Sequence, residues 1–172
     1  PYLRFVGSDY AVWDWLRLGI FTGSRLSEYA QSRLRKNQRF QVIPINGETG
    51  VWGGQPLAFT RDDFQFFDAE ACRVPHSAVH SQHKLGKVQS VHIRFRYDKS
   101  SENFSIRKYS VSLDPILNPV DAAVSLVQRA DLLQVPVSEP LGAYRNTKSP
   151  AYSFLWDSHI RDVLRAMCVR TY

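Results

Sequence analysis

The sequence predicts one α+β domain that is mainly helical and carries a small antiparallel β-sheet. Three observations favour this class: an apolar segment of helical period near the start, an alternating strand with a returning partner in the middle, and further helical segments towards the end. A length of 172 residues suits one domain, and 44% hydrophobic residues are enough for a packed core. We therefore treat residues 1–172 as a single domain.

The first helix is predicted over residues 9–21, and we expect it to be largely buried. Its apolar stripe consists of Val12, Trp13, Leu16, Gly19 and Ile20, widened by Trp15, Leu18 and Phe21. Thr22, Gly23 and Ser24 interrupt the helical pattern. Either hydroxyl could cap a second helix over residues 25–35.

Turn-forming residues then dominate. Prolines and glycines make residues 44–56 a predicted loop. Two short strands are predicted at 57–60 and 64–67, and residues 70–84 fit either a helix or a loop.

The clearest strand is predicted over residues 88–97, because apolar and polar residues alternate strictly along it. Val91, Ile93, Phe95 and Tyr97 form the apolar face, and His92, Arg94 and Arg96 form the cationic face. A polar turn that contains Lys99 leads to a second strand over 104–113, which completes a hairpin.

Two more helices are predicted after the hairpin. Asn118 is a good helix N-cap because Pro119 follows it, and Val120, Ala123, Val124 and Val127 form the apolar face of that helix. Residues 134–153 hold three prolines and are predicted to be a long connection. The last helix is predicted from Asp157 or Ser158 to Met167.

The charge balance favours a polyanionic partner. Lys and Arg number 22 against 16 for Asp and Glu, so the formal net charge is +6. One cluster of basic residues follows residues 22–28, and another spans residues 84–108. Phosphate contact through the strand face and simple solvation of that face are equally compatible with the pattern. The residues predicted to contact a nucleic-acid partner through its phosphates are Arg33, Lys87, Arg94 and Arg96.

Composition also bears on compartment. Cys72 and Cys168 are the two cysteines, they lie far apart, and no CxxC spacing occurs, which favours a reducing intracellular compartment. No apolar run reaches the length of a membrane span and no signal-peptide pattern occurs, so we expect no membrane partner.

The residues Thr22 to Glu28 read Thr-Gly-x-Arg-x-Ser-Glu. An arginine in the first turn of a helix adds a planar fork of donors to free backbone N–H groups and the positive end of the helix dipole, which together make an anion site. Glu28 lies three residues after Arg25, where it can orient the guanidinium. The alternative is an ordinary surface arginine–glutamate pair.

This motif, preceded by an apolar helix and followed by a hairpin turn with a lysine, resembles the tyrosine recombinase (phage-integrase-like) catalytic domain. The segments at 118–123 and 157–165 look like those of eukaryotic mobile elements. The resemblance implies that the intact protein cleaves and rejoins DNA through a covalent phosphotyrosine. Arg25 would stabilise the transition state, Glu28 would support Arg25, and Lys99 would be the general acid, with Lys87 and Lys108 as rivals.

The resemblance further implies double-stranded DNA as the partner, a homo-oligomer on that DNA, no metal and no other cofactor. An enzyme of this kind would work inside the cell where DNA is, and in the nucleus of a eukaryote.

The sequence also departs from the family. The second box, His-x-x-Arg, is absent, because His159 is followed three places later by Asp162 and no other histidine has arginine at that offset. Tyr172 lacks that box before it, so we interpret it as an ordinary residue and not as the nucleophile. We therefore expect a fragment of a longer protein, inactive by itself, that supplies the first arginine and the hairpin lysine.

Other interpretations stay open. A non-enzymatic DNA-binding protein derived from the same fold is the main rival, and a helical domain unrelated to DNA is a weaker one. His76, His80 and His83 have the spacing of a zinc site on one helical face, but the polar setting favours solvent-exposed histidines. The glycines of residues 47–54 lack the Lys-Ser/Thr of a phosphate loop and favour a flexible turn. No Gly-x-Ser-x-Gly nucleophile elbow occurs.

Overall fold

The structure is a computed structural model that describes residues 7–23, 42–44, 51–56, 58–95, 104–114, 116–146 and 152–169. These residues form four helices, one four-stranded sheet and two two-stranded sheets, and every strand pair is antiparallel. The predicted α+β class is therefore confirmed. No helix among these ranges is long and apolar enough to cross a membrane.

Helix α1 spans Ser8–Thr22, which confirms the predicted helix. Its predicted buried face is wrong in part, because Trp13 is 42% exposed and Ile20 is 65% exposed. The face that packs on the core consists of Ala11, Val12, Asp14, Trp15, Leu18 and Thr22. A charged residue lies on this face because the Asp14 carboxylate is paired with Arg129 inside the protein.

Gly23 ends helix α1 as the sequence predicts. It adopts the left-handed conformation with φ of 60°, and its N–H donates to the Gly19 carbonyl at 3.0 Å. Residues other than glycine rarely adopt that backbone angle, so a glycine suits this helix end. The chain therefore leaves α1 immediately after Thr22.

The four-stranded sheet has the order β4-β3-β5-β6. Its strands are β3 (Phe64–Phe67), β4 (Arg73–Val74), β5 (Ser90–Phe95) and β6 (Ser105–Ser110). Strands β5 and β6 pair from Ser90↔Ser110 to Phe95↔Ser105, which confirms the predicted hairpin. Val91, Ile93 and Phe95 are buried, as the alternation predicts.

The prediction of a strand at residues 57–60 is wrong for residues 58–60, which the structure describes. Thr60 forms only an isolated bridge with Pro140 and then caps a 3-10 turn at Arg61–Asp63. The Thr60 N–H donates to Asp63 Oδ2 at 2.9 Å, and the hydroxyl donates to the same oxygen at 3.3 Å. This local cap competes with strand pairing for the backbone of Thr60.

Helix α2 spans His76–Lys84, α3 spans Pro119–Leu132 and α4 spans Asp157–Val169. Asn118 caps α3 as predicted, because its side chain accepts from the N–H groups of Val120 and Asp121 at 3.0 and 3.3 Å. Helix α3 is central: it contacts α1, α2, β5 and β6. The core lies between α3 and the inner face of the sheet and includes an aromatic cluster of Trp15, Phe59, Phe64 and Phe95.

Two predicted connections contain short strands. Strand β1 (Val42–Pro44) pairs with β2 (Val51–Pro56), and β7 (Ala143–Arg145) pairs with β8 (Tyr152–Phe154). The prediction of loops over residues 44–56 and 134–153 is therefore wrong in part. Three of these strands have only three residues, too few for a period that a sequence can show, and glycine and proline within β2 disguise the fourth.

Candidate functional site

The predicted site residues fall into two groups. Arg25, Glu28, Arg33, Arg96 and Lys99 lie outside the described residues. Lys87 and Arg94 lie within them, as do the elements from which the other segments extend. The structure therefore describes the two elements that flank these residues, which are the end of α1 and the β5–β6 hairpin.

Arg107 connects these two elements. Its Nη1 donates to the carbonyl oxygen of Thr22, the last residue of α1, at 3.4 Å. Its guanidinium carbon lies 4.3 Å from the ring centroid of Phe95, the last residue of β5. A cation is favoured over an aromatic face and also at a helix C-terminus, where the dipole is negative.

The strand register explains why Arg107 points towards α1. It pairs with Ile93, and side chains of directly paired residues lie on the same face of a sheet. Since Ile93 is fully buried, Arg107 lies on the face that packs against the helices. Ile106 lies on the outer face and is 57% exposed.

This contact brings the supports of two predicted site residues together. Thr22 precedes Arg25 by three residues, and Phe95 precedes Lys99 by four. Thr22 and Phe95 both contact the same guanidinium. The described residues next to the two predicted catalytic segments therefore lie side by side.

The outer face of the sheet carries the predicted cationic residues of β5. Arg94 Nε donates to Asp63 Oδ1 at 3.1 Å, and its side chain is 41% exposed. The carboxylate of Asp63 is buried and also accepts a hydrogen bond from the Thr60 N–H. This pair holds Arg94 in place on a face that is open to a partner.

His92 lies beside Arg94 on the outer face. Its ring centroid is 4.1 Å from that of Phe67, and it pairs across the sheet with Lys108. Burial lowers the pKa of His92, and the charge of Lys108 lowers it further. The imidazole is therefore neutral at pH 7, and the positive charge at this pair comes from Lys108.

Two lysines rival Lys99 in the sequence, and the structure separates both from the end of α1. Lys87 is exposed and precedes β5, whereas the hairpin turn follows β5, so the strand length of roughly 17 Å lies between them. Lys108 is on the outer face, opposite to Arg107. Neither lysine therefore lies on the side of the hairpin that contacts the end of α1.

The three spaced histidines are on α2, and each has its own partner. His76 Nε2 lies 2.6 Å from the Phe64 carbonyl, His80 Nε2 lies 2.9 Å from Gln128 Nε2, and His83 Nε2 lies 2.9 Å from Asp121 Oδ1. The expectation of solvent-exposed histidines is wrong, because all three are partly buried.

These partners also bear on the zinc alternative. The three imidazoles attach α2 to β3 and α3 at separate points. Among the residues with described side chains, no group of three or more His, Cys, Asp or Glu could hold a metal ion.

A buried ion pair fixes α1 against α3. Asp14 bonds Arg129, whose side chain is fully buried, and also Arg17 at 2.5 Å. Burial lowers the pKa of Arg129, while the adjacent Asp14 carboxylate opposes that effect. Because α1 ends three residues before Arg25, this ion pair also fixes the helix that leads to that predicted site residue.

Sequence reasoning missed the role of Arg107. It counted this residue only as one charge within a basic segment. Ile106 and Arg107 lie on opposite faces of β6 but both are exposed, so a hydrophobic pattern cannot identify the inner face. Only the register with β5 reveals it.

No protein-family model, curated protein or solved structure matches this chain.

Proposed function

We propose that the intact protein cleaves and rejoins DNA through a covalent phosphotyrosine, as tyrosine recombinases do. The observation that carries the proposal is the contact of Arg107 with both Thr22 and Phe95. It joins the helix that leads to Arg25 to the hairpin that contains Lys99. An arginine and a lysine supplied by these two segments are suited to act on one phosphate.

Covalent geometry limits how far these residues lie from their supports. A chain spans at most about 3.6 Å per residue, so the Cα atoms of Arg25 and Thr22 are within roughly 11 Å of each other. By the same limit, the Cα atoms of Lys99 and Phe95 are within roughly 14 Å. Both side chains are long, which makes a shared phosphate possible.

The proposed chemistry uses each residue for one task. A tyrosine of the intact protein attacks the phosphorus, forming a phosphotyrosyl bond while the bond to the 5′ oxygen breaks. Arg25, oriented by Glu28, neutralises charge on the non-bridging oxygens. Lys99 gives its proton to the leaving 5′ oxygen. The phosphotyrosyl bond conserves the energy of the phosphodiester, so rejoining needs no nucleotide.

The outer face of the sheet supports binding of the duplex. Arg94 is held by Asp63 yet partly exposed, and Lys108 is exposed on the same face. Such residues suit phosphate contacts, which position DNA without reading its sequence. We propose that Arg33, Lys87 and Arg96 add to the same basic surface, and that the enzyme assembles as a homo-oligomer on DNA.

The test is formation of a covalent protein–DNA adduct by the full-length protein. Arg25→Ala should lower the rate of adduct formation by at least about 10²-fold, because preorganised charge on the phosphate is lost, while duplex affinity changes little. Arg165→Ala is the matched control, since that side chain is 77% exposed on α4, and it should leave the rate unchanged. Adduct formation by Arg25→Ala at the parent's rate would refute the role of Arg25.

A second candidate is a DNA-binding protein without the reaction. The observation that favours it is the absence of His-x-x-Arg, since His159 has Asp162 at the expected place. This candidate predicts salt-dependent duplex binding with no adduct under any condition. A full-length sequence that contains the box and a following tyrosine would favour the enzyme.

A further inference from the structure

We propose that the outer face of the four-stranded sheet binds an unpaired nucleotide, with the base stacked against Phe67 and His92 and the phosphates on Arg94 and Lys108. We call these four residues the base platform. The ligand class is single-stranded nucleic acid, because DNA and RNA present the same base faces and phosphates. The inference goes beyond the proposed function and does not depend on it, since stacking of a base requires no strand cleavage.

The strand register places the base platform on one face of the sheet. Phe67 pairs with Ser90, and His92 pairs with Lys108. Paired residues share a face, and so do residues two apart along a strand, which puts Ser90, His92 and Arg94 together. The residues that alternate with them along β3 and β5 are buried, so the base platform lies on the outer face.

Phe67 and His92 provide the aromatic surface. Their ring centroids are 4.1 Å apart with the planes inclined by 32°, and both side chains are partly exposed. A base can extend such a stack because every base has a π face. Burial, followed by the charge of Lys108, lowers the pKa of His92. Its ring is therefore neutral at pH 7, and a base can cover it without removing water from a charge.

Arg94 and Lys108 place positive charge next to the rings. Lys108 is directly opposite His92, with about 5 Å between their Cβ atoms, and Arg94 is about 7 Å from His92 along β5. The Arg94 side chain is 41% exposed and bonds Asp63 through Nε, so its terminal nitrogens can donate to a phosphate. Single-strand sites combine such cations along the backbone with rings on which bases stack.

This combination favours unpaired bases over a duplex. In a duplex the faces of each base are covered by its neighbours, and turning a base out of the stack costs free energy. A single strand already exposes its bases. A duplex can therefore use only the cations of the base platform, whereas a single strand can use the cations and the rings.

The experiment measures the affinity of the full-length protein by fluorescence anisotropy at pH 7.5. The probes are oligothymidine and oligouridine of about 12 nucleotides, within the site sizes of single-strand binders, and a duplex of the same length. Phe67→Leu and His92→Gln should each lower single-strand affinity by about 10-fold, because a stacking ring is lost. Duplex affinity should stay within about 3-fold of the parent, since the phosphate contacts are kept.

A matched control and the salt dependence separate stacking from other effects. Tyr10→Leu removes an aromatic ring that is 44% exposed on α1, and single-strand affinity should not change. The salt slope for the single strand should be the same in Phe67→Leu as in the parent. In Lys108→Ala its magnitude should fall by about 0.7, because one phosphate contact is lost.

A photo-crosslink locates the base in the parent protein without any substitution. An oligonucleotide that carries 5-iodouracil at its centre is irradiated in the complex, and mass spectrometry identifies the peptide that it labels. The label should map to Phe67 or His92. Labels confined to peptides outside β3 and β5 would overturn the inference.

Other outcomes would also overturn the inference, and they differ from failure of the proposed function. If Phe67→Leu and His92→Gln bind the single strand as tightly as the parent does, the rings make no contact with a base. Equal losses on the single strand and the duplex would likewise exclude stacking. A parent protein that forms no covalent adduct would refute the proposed cleavage and leave the base platform intact. Tighter binding of oligothymidine or of oligouridine would support the base platform and identify its strand as DNA or RNA.

Discussion

Asp14 links helix α1 to helix α3 through a buried ion pair with Arg129. Its carboxylate is buried and accepts from Arg17 and from the fully buried Arg129. A buried ion pair adds little net stability, but removal of one partner leaves an uncompensated charge, which costs about 3–5 kcal/mol. The pair therefore fixes the position of a helix more than it adds to the total stability.

Asp14→Asn should lower the free energy of unfolding by about 3 kcal/mol, because the charge of Arg129 remains buried without its carboxylate. Urea unfolding followed by fluorescence measures the change. Asp162→Asn is the control: Asp162 lies 3.8 Å from Arg165, both side chains are more than 70% exposed, and stability should hardly change. Equal effects of the two substitutions would contradict the structural role of Asp14.

At the scale of elements, α2 is attached to its neighbours by histidines. His76 reaches β3, while His80 and His83 reach α3. Burial is the largest cause that lowers the pKa of His80, and the charge of Lys84 adds to it. The attachment of α2 through His80 therefore depends on a neutral imidazole.

This attachment should weaken in acid. Because the pKa of His80 in the folded protein lies below its ordinary value of 6.5, the unfolded chain takes up the proton first as pH falls. The stability that His80 contributes is therefore present above pH 6.5, and it is lost as pH falls from there through the lower pKa of the folded protein. Urea unfolding at pH 7.5 and 5.5 should show a larger loss in the parent than in His80→Gln, which keeps an amide for Gln128. Identical losses would show that His80 does not titrate in this way.

Some elements could be predicted from sequence and others could not, for physical reasons. Strand β5 has one buried and one solvated face, so its alternation is visible in the sequence. In α1 the same logic identified the helix but not its face, since the partner that buries Asp14 is 115 residues away. Strand β6 was predicted as the partner of β5, but its inner face was not, because Arg107 lies on that face and contacts α1 and Phe95.

The candidate site shows the same limit. The motif around Arg25 is local and can be recognised in the sequence. The contact of Arg107 with the end of α1 depends on strand register and tertiary packing, since Thr22 is 85 residues away in the sequence. Arg94 was predicted as a surface cation, but its anchoring by Asp63 required the structure.

At the scale of the whole molecule, a net charge of +6 favours association with polyanions, and duplex DNA is the polyanion that we propose. The logarithm of the association constant should fall linearly with the logarithm of salt concentration, with a slope near −0.9 for each phosphate neutralised. Gel-shift titrations of the full-length protein at several salt concentrations measure that slope. Arg94→Ala should reduce its magnitude by about 1, whereas Arg73→Ala should not. The absence of any salt-dependent affinity would contradict both DNA hypotheses.

Strand β6 is at one edge of the four-stranded sheet. An edge presents backbone groups to which a strand of another molecule can add, and charged side chains discourage such pairing. Arg107 and Lys108 lie in the middle of β6, between Ile106 and Tyr109. If both charges were replaced by apolar residues, Ser105–Ser110 would become an uncharged segment of high β propensity. The pair therefore protects this edge against strand addition, and a variant that lacked both charges would be prone to aggregate.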